Sequence, residues 1–413
     1  MTQTINAGRL FNASCFALIT TAFSFGIRAG ILNQLAVDFQ LSNTQLGFIN
    51  QMAFLGFPLA MIVFGLLYNA LGPKTIMWTA FISHMLGILL TIYATDYWTL
   101  LISTFFIGFG NGCTEAACNP MIADSYSGSK MNQMMNRFHM WFPGGIVLGS
   151  LISWFMTDMN LGWQLQMWVI VIPTIIYAVL FWGQAFPQPK GEKANLGENF
   201  KAMLSPLFIF ILVCMAFTAI SEFGPNQWVG PILSKVGASP MMILVCVTGV
   251  MAIGRLVAGP LVHALDSTTI LLVSSIVAAI GIYLMSVATG GLVYFAAILF
   301  ALGVCYFWPT VLGFVAEYIP KSGALGMSIV GGMGMFSTAI FQPIIGGWID
   351  DERAARGMET LVGEAKDAAE LAAGQATLQN MVLFPGICII AFLVLKFVIK
   401  AKKETPSEVS ATV

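Results

Sequence analysis

About a dozen uninterrupted apolar stretches, each near the 20 residues that carry a helix across the hydrocarbon of a bilayer, occupy almost all of this 413-residue chain. They read as spans at 10–37, 44–70, 75–95, 98–126, 131–157, 163–185, 206–234, 240–264, 268–288, 292–318, 323–349 and 380–399. A membrane barrel would show short alternating runs instead, so the element is the helix. With 58% hydrophobic and only 9% charged residues, a water-soluble domain of this length would have to expose apolar surface. The expected fold class is an all-α membrane protein of about 12 transmembrane helices.

The first stretch is longer than the apolar core of a signal peptide, and no small-residue cleavage site follows it. It is therefore expected to remain as a span. Cys15, Cys113, Cys118, Cys214, Cys246, Cys305 and Cys388 all fall inside spans without metal-ligand spacing and read as small packing residues. No disulfide framework, metal or cofactor is expected. Basic residues set the orientation, because short loops rich in Lys and Arg stay in the cytoplasm. Alternate loop ends place Arg9, Lys74, Lys130, Arg137, Lys190, Lys193, Lys201, Lys321, Lys396, Lys400, Lys402 and Lys403 on one side; the other has Lys235 and the long loop 350–379 with Arg353, Arg356 and Lys366. Both termini are thus expected in the cytoplasm of a cell with an inner membrane. The Ala/Glu-rich run 360–373 is expected as a surface helix on the outer face.

Only one extended polar linker interrupts the interior, at 187–205, with Pro187, Pro189 and Gly191 among mixed charges. It divides the chain into 1–186 and 206–413, each with six spans. The two parts echo one another. Gly65-Leu66-Leu67-Tyr68-Asn69-Ala70-Leu71 leaves the second span as Gly259-Pro260-Leu261-Val262-His263-Ala264-Leu265 leaves the eighth, with four of seven positions identical. Asn119-Pro120 pairs with Trp308-Pro309, and Gly144-Gly145 with Gly331-Gly332, at corresponding spans. Repeats of this kind, related by an axis along the membrane normal, place a solute site between them near the midplane.

The loop 65–74 and its partial copy at 259–266 resemble the signature between the second and third helices of the major facilitator superfamily. Asn69 stands where that signature has an acid, and Pro73 interrupts its basic cluster. Within the superfamily, Glu115-Ala116-Ala117-Cys118-Asn119-Pro120, with Trp308-Pro309-Thr310 and Glu317, is similar to the fucose-permease group of sugar and proton symporters. The resemblance implies that a carboxylate in the fourth span exchanges a proton, and Glu115 matches it. That group commonly has an acid in the first span, where this sequence has Arg28.

Independently of family, ionisable residues inside a membrane mark a pathway or a structural pair. Counted at about 1.5 Å per residue, Glu115 lies about 16 Å and His139 about 12 Å from the cytoplasmic ends of their spans, so Glu115, Asn119, Arg137 and His139 form one candidate layer. Glu115 and His139 are its proton-coupling candidates. Arg28 and Glu222, in the outer halves of spans one and seven, form a second, either as a structural pair or with Arg28 gripping a carboxylate of the solute. Asn33, Asn119, Arg137, Asn226 and Gln227 are candidate polar contacts, and Trp228 and Trp308 candidate ring-stacking residues or core. Asn69, Lys74, Arg255 and Glu317 lie toward cytoplasmic ends and read as gate or structural charges. His84 reads as packing, and Gly108-Phe109-Gly110-Asn111-Gly112 as helix contact, since no strand precedes it as a phosphate loop requires.

No Walker-type loop supports a pump, and neither a pore repeat nor a catalytic cluster supports a channel or an enzyme. The expected function is a secondary active transporter working by alternating access: proton-coupled symport of a sugar or sugar acid. An organic-anion carrier and a non-transporting sensor are the alternatives. Expected partners are one small polar solute, H+ and the bilayer, with no nucleic acid, the protein acting as a monomer. The orientation has a direct test. In intact cells a tag beside Glu192 or after Lys403 is expected to be protected from impermeant reagents and a tag at Glu364 accessible; protection at Glu364 overturns it.

Overall fold

The computed structural model describes residues 5–126, 128–187 and 196–404, and their regular structure is helical. Helix α1 (Ala7–Asp38) opens where the Asn6 side chain accepts the Arg9 amide at 3.0 Å. Helix α2 (Asn43–Ile92) opens on a reciprocal box, in which Ser42 Oγ accepts the Gln45 amide and Gln45 Oε1 accepts the Ser42 amide. Its 50 residues exceed what one crossing needs, about 20 residues. It turns at Gly72, whose φ of 72° suits glycine, and Pro73, which has no N–H to give. The non-helical backbone at Gly72 (φ 72°, ψ 158°) divides α2 into two helical pieces on either side of 72–73, at the place where the spans 44–70 and 75–95 are expected to separate. Asp96 caps α3 (Tyr97–Ser125). The stretch expected as one span at 131–157 breaks into α4 (Gly128–His139) and α5 (Trp141–Asp158), because Pro143 offers no N–H to the His139 carbonyl. Helix α6 (Trp163–Phe181) completes the amino-terminal group.

The carboxy-terminal group runs through α7 (Leu196–Met203), α8 (Pro206–Gln227), α9 (Val229–Ile232), α10 (Pro240–Leu256), α11 (Gly259–Ala264), α12 (Ser267–Val287), α13 (Leu292–Val304), α14 (Phe307–Tyr318), α15 (Gly323–Ala355), α16 (Gly363–Met381) and α17 (Leu383–Glu404). Most of the linker expected at 187–205, with Glu192 in it, and the tail after Lys403 from 405 onward lie outside the described residues. Among those described, nine helical segments are long and apolar enough to cross a membrane. The helices expose large apolar side chains such as Ile82 on α2, Ile102 on α3 and Ile390 on α17, with Tyr93, Trp98 and Trp182 exposed at helix ends, as a lipid-facing surface requires.

The loop expected at 350–379 is largely helix. Helix α15 runs on to Ala355, supported by an i,i+4 pair between Arg356 and Glu352. Helix α16 is exposed through its first turns and then buries Ala373, Gly374, Thr377, Leu378 and Met381 on one face. The run 360–373 is thus largely the surface part of a helix, as expected, and the part that follows it packs into the protein. The seven cysteines are free, and all but Cys246 are buried, as packing residues should be.

Two seams join the groups: α2 packs on α15, and α5 on α10. At one end the first seam is latched. The Asp350 carboxylate on α15 accepts the Asn43 amide (3.0 Å), Asn43 Nδ2 (2.8 Å), the Thr44 amide (2.8 Å) and Thr44 Oγ1 (2.7 Å), capping the orphan N–H groups of α2 from across the molecule. At the opposite, Lys74 end, α2 and α10 expose Leu66, Leu67, Leu71, Ile253, Leu256 and Val257.

Inside the amino-terminal group, the glycines singled out as helix contacts do that job: a Cβ on Gly108 would lie 2.0 Å from the Ala53 carbonyl oxygen and one on Gly112 2.1 Å from that of Phe57, whereas Gly65 has nothing within 4 Å. Gly108→Ala is expected to lower the Tm of the purified protein through overpacking of about 1–3 kcal/mol. Gly65→Ala is expected to leave it unchanged or raise it slightly by removing helix-disfavouring backbone freedom. Equal Tm values for the two variants would overturn the close approach of α2 and α3.

Candidate functional site

Arg28 sits deep between the groups on α1, 6% exposed. Its guanidinium donates to Gln227 Oε1 on α8, from Nη2 at 2.9 Å and Nε at 3.3 Å, and its Cζ lies 5.0 Å from the Phe25 ring centre and 5.4 Å from that of Phe54. The aromatic faces and one amide oxygen offset part of the cost of burying the cation. Nη1 has no hydrogen-bond partner in the protein. The pair expected between Arg28 and Glu222 does not form.

Glu222 instead turns toward Arg255, with Oε1 3.7 Å from Nη2, and the reason lies in the sequence of the tenth span. Pro309 has no N–H for the Cys305 carbonyl one turn earlier, so the helix breaks there into α13 and α14. The freed Cys305 oxygen accepts Arg255 Nε at 3.1 Å, which holds the guanidinium beside Glu222. Arg255, expected as a gate charge near the cytoplasmic end, is thus the partner of a buried carboxylate whose Oε2 remains unpartnered. A cavity of about 10 Å³, the size of one water, lies here between Glu222, Asn226 and Gln227 on α8, Thr248 and Arg255 on α10, and Phe142 on α5. Trp228, fully buried next to Gln227, has an unpartnered Nε1.

The other candidate layer divides. Asn119 Nδ2 donates to Glu115 Oε2 at 2.7 Å within α3, both half-buried, and Asn119 Oδ1 is unpartnered. Arg137 and His139 are exposed at the end of α4, and neither hydrogen-bonds to Glu115 or Asn119. Counting depth places them level with Glu115, but depth sets only the height along a helix and not the face a side chain takes, and both side chains are exposed.

The remaining candidates scatter. Asn33 lines a separate cavity of about 350 Å³ at the Asp350 end, with Lys235, Arg353 and Glu370. Trp308 meets Phe223 edge-on at 6.3 Å, in the core between α8 and α14. Asn69 and Lys74 are exposed. Glu317, also exposed, accepts from Ser267 Oγ at 3.3 Å, beside Asp266. Burial raises the Asp266 carboxyl, but hydrogen bonds from Thr268 and Thr269 and the charge of Lys396 outweigh it and bring it down to about 2. His84 is a satisfied core residue, bonded to Asn111 Oδ1 at 2.9 Å and Tyr177 Oη at 3.0 Å. Three polar residues stand outside the charge pattern of the sequence: Asp350, because its helix ends six residues later than expected, and the fully buried amides Asn50 and Gln342. An amide side chain inside an apolar run was the available signal for the last two.

Comparison with known proteins fits this frame. A sequence profile of the Major Facilitator Superfamily matches residues 14–245. The chain is 24% identical over 169 residues to myo-inositol transporter 1 of Candida albicans (39% of this chain, 30% of that protein). It is 22% identical over 249 residues to the putative niacin/nicotinamide transporter NiaP of Bacillus subtilis (57% and 61%). It therefore spans less than two thirds of the length of each of these relatives. A bacterial homologue of the human lysosomal transporter Spinster, solved in an inward-facing, occupied conformation, superposes with a TM-score of 0.78 at 16% identity, covering 97% of this chain and 99% of that one. A D-xylose–proton symporter superposes at 0.72 with 13% identity over 92% and 97%. With a profile match over more than half its length and a shared all-helical fold, the chain belongs to the Major Facilitator Superfamily of membrane transporters.

Proposed function

We propose that this protein is a secondary carrier that couples inward movement of H+ to uptake of a sugar acid across an inner membrane, with twelve crossings, six per group, and both termini in the cytoplasm. The observation that carries the reading is the buried guanidinium of Arg28 between the groups, with Nη1 free to meet an anion. A cation so placed would otherwise be hard to justify in lipid. The seams support the duplication: exchanging the second span for the eighth and the eleventh for the fifth turns the α2–α15 seam into the α10–α5 seam. With the Asp350 end outside, its latch closes the outer mouth, and the exposed ends of α2 and α10 line an opening toward the cytoplasm.

The solutes named for the relatives include a polyol, a sugar (D-xylose transporter of Levilactobacillus brevis, 20% identical over 179 residues) and a pyridine acid. A hydroxylated acid combines these chemistries, and the fucose-permease group is the branch whose motif around Glu115 this chain resembles. Arg28 also favours a second reading, an organic-anion carrier indifferent to hydroxyls.

Arg28 variants test the charge of the solute. If the solute carboxylate meets Nη1, Arg28→Gln is expected to weaken binding of a uronate by about 1.5–3 kcal/mol, roughly ten- to a hundredfold, and Arg28→Lys by less. A neutral sugar is expected to lose far less. Isothermal titration with both ligands reads this, and equal losses would sink the anionic solute.

Glu115 carries the coupling. A carboxylate that alternates between protonated and ionised as the protein opens to each side makes the two fluxes interdependent. Glu115→Gln is expected to abolish uphill accumulation in vesicles while sparing exchange of pre-loaded solute. Continued concentration against a gradient by the variant would move coupling elsewhere, Glu222 with Arg255 being the next pair to examine. Binding without any flux in the wild type would identify a sensor.

A further inference from the structure

Two residues that nothing above explains lie directly beneath the latch. Asn50 on α2 and Gln342 on α15 are both fully buried, and neither polar atom of either side chain has a hydrogen-bond partner. The backbones of the two helices touch at this level: a Cβ on Gly47 would lie 2.6 Å from the Gln342 carbonyl oxygen. Asn50 is one turn along the same face of α2 from Gly47. The latch at Asn43 and Asp350 lies seven and eight residues farther out, about 10–12 Å. One turn farther in from Asn50 is Phe54, whose ring receives the Arg28 guanidinium. The two amides therefore occupy the seam between the closed outer mouth and the buried cation.

Amides in a membrane seam ordinarily bond across it and hold helices together. These make no such bond, so their polarity does not serve the packing of this state. Four buried donor and acceptor atoms without a partner in the protein carry a desolvation penalty that no contact within the seam offsets. Each amide offers both a donor and an acceptor, as a vicinal diol or a sugar hydroxyl requires.

We infer that Asn50 and Gln342 bind solute hydroxyls, and so make the carrier select a polyhydroxylated solute over a simple carboxylate. This rests on the carrier reading and deepens it, Arg28 taking the acid and the amides the hydroxyls.

The test replaces each amide by an apolar residue of similar volume, Asn50→Leu and Gln342→Met, and measures two things. In ligand-free detergent solution the Tm of each variant is expected to rise by roughly 2 °C or more, because an unpartnered polar group is removed. In binding assays both are expected to lose at least tenfold in affinity for D-glucuronate and D-glucose, with less than a threefold change for hexanoate. Variants that keep wild-type affinity for the two hydroxylated ligands overturn the inference, as does an equal loss for hexanoate. If the apolar variants do not fold, Asn50→Ser and Gln342→Asn keep hydrogen-bonding capacity and are expected to shift the glucuronate-to-hexanoate preference; an unchanged preference overturns the inference equally. Should the wild type bind none of the three, the carrier reading for a sugar acid falls. The ligand-free Tm then decides the amides separately, a rise upholding their orphaned state and an unchanged or lower Tm overturning it.

Discussion

The desolvation of polar groups governs this structure. Lipid supplies no hydrogen bonds, so every backbone group has to be satisfied within helices, and every side-chain charge taken below the surface needs a partner supplied by the protein or its ligand. Where a proline removes a backbone donor, the carbonyl it orphans becomes a resource. Pro309 frees the Cys305 oxygen, that oxygen anchors Arg255, and Arg255 draws Glu222 away from Arg28. Arg28 is then left with one amide oxygen and two aromatic faces, which leave one of its nitrogens unpartnered.

The same rule closes one end of the molecule. The first turn of α2 presents backbone N–H groups with no helical partner, and a single carboxylate on α15 accepts two of them together with two side-chain donors. Four bonds to one carboxylate make a strong contact of small area. The packing of α2 on α3 differs in kind, resting on close backbone approach at Gly108 and Gly112 over a longer face.

How much of this was legible in the chain varies with the kind of signal. Apolar run length located most of the helices, and Arg28 and Glu222, read as lying on facing spans, are both buried, although they do not pair with each other. Depth counting did not bring His139 and Arg137 to Glu115, because depth fixes the height along a helix and not the face, and both side chains on the polar helix α4 are exposed. In 350–379, where a helix is expected only over 360–373, α15 also runs on to Ala355 and α16 on to Met381. The uncharged amides at 50 and 342 drew no notice, since a polar residue in an apolar run becomes informative only when its neighbours are known to leave it unpartnered.

The sequence alone determined the all-helical membrane fold and the internal echo of its two parts, because run length, charge placement and proline position act locally along the chain. Only the tertiary structure decided which charge meets which: Arg28 with Gln227, Glu222 with Arg255, and Asp350 with the start of α2. Those pairings join residues up to 307 positions apart. They depend on where breaks turn each helix and on which buried group finds a partner within about 3–4 Å, and neither is written in the spacing of residues along one span.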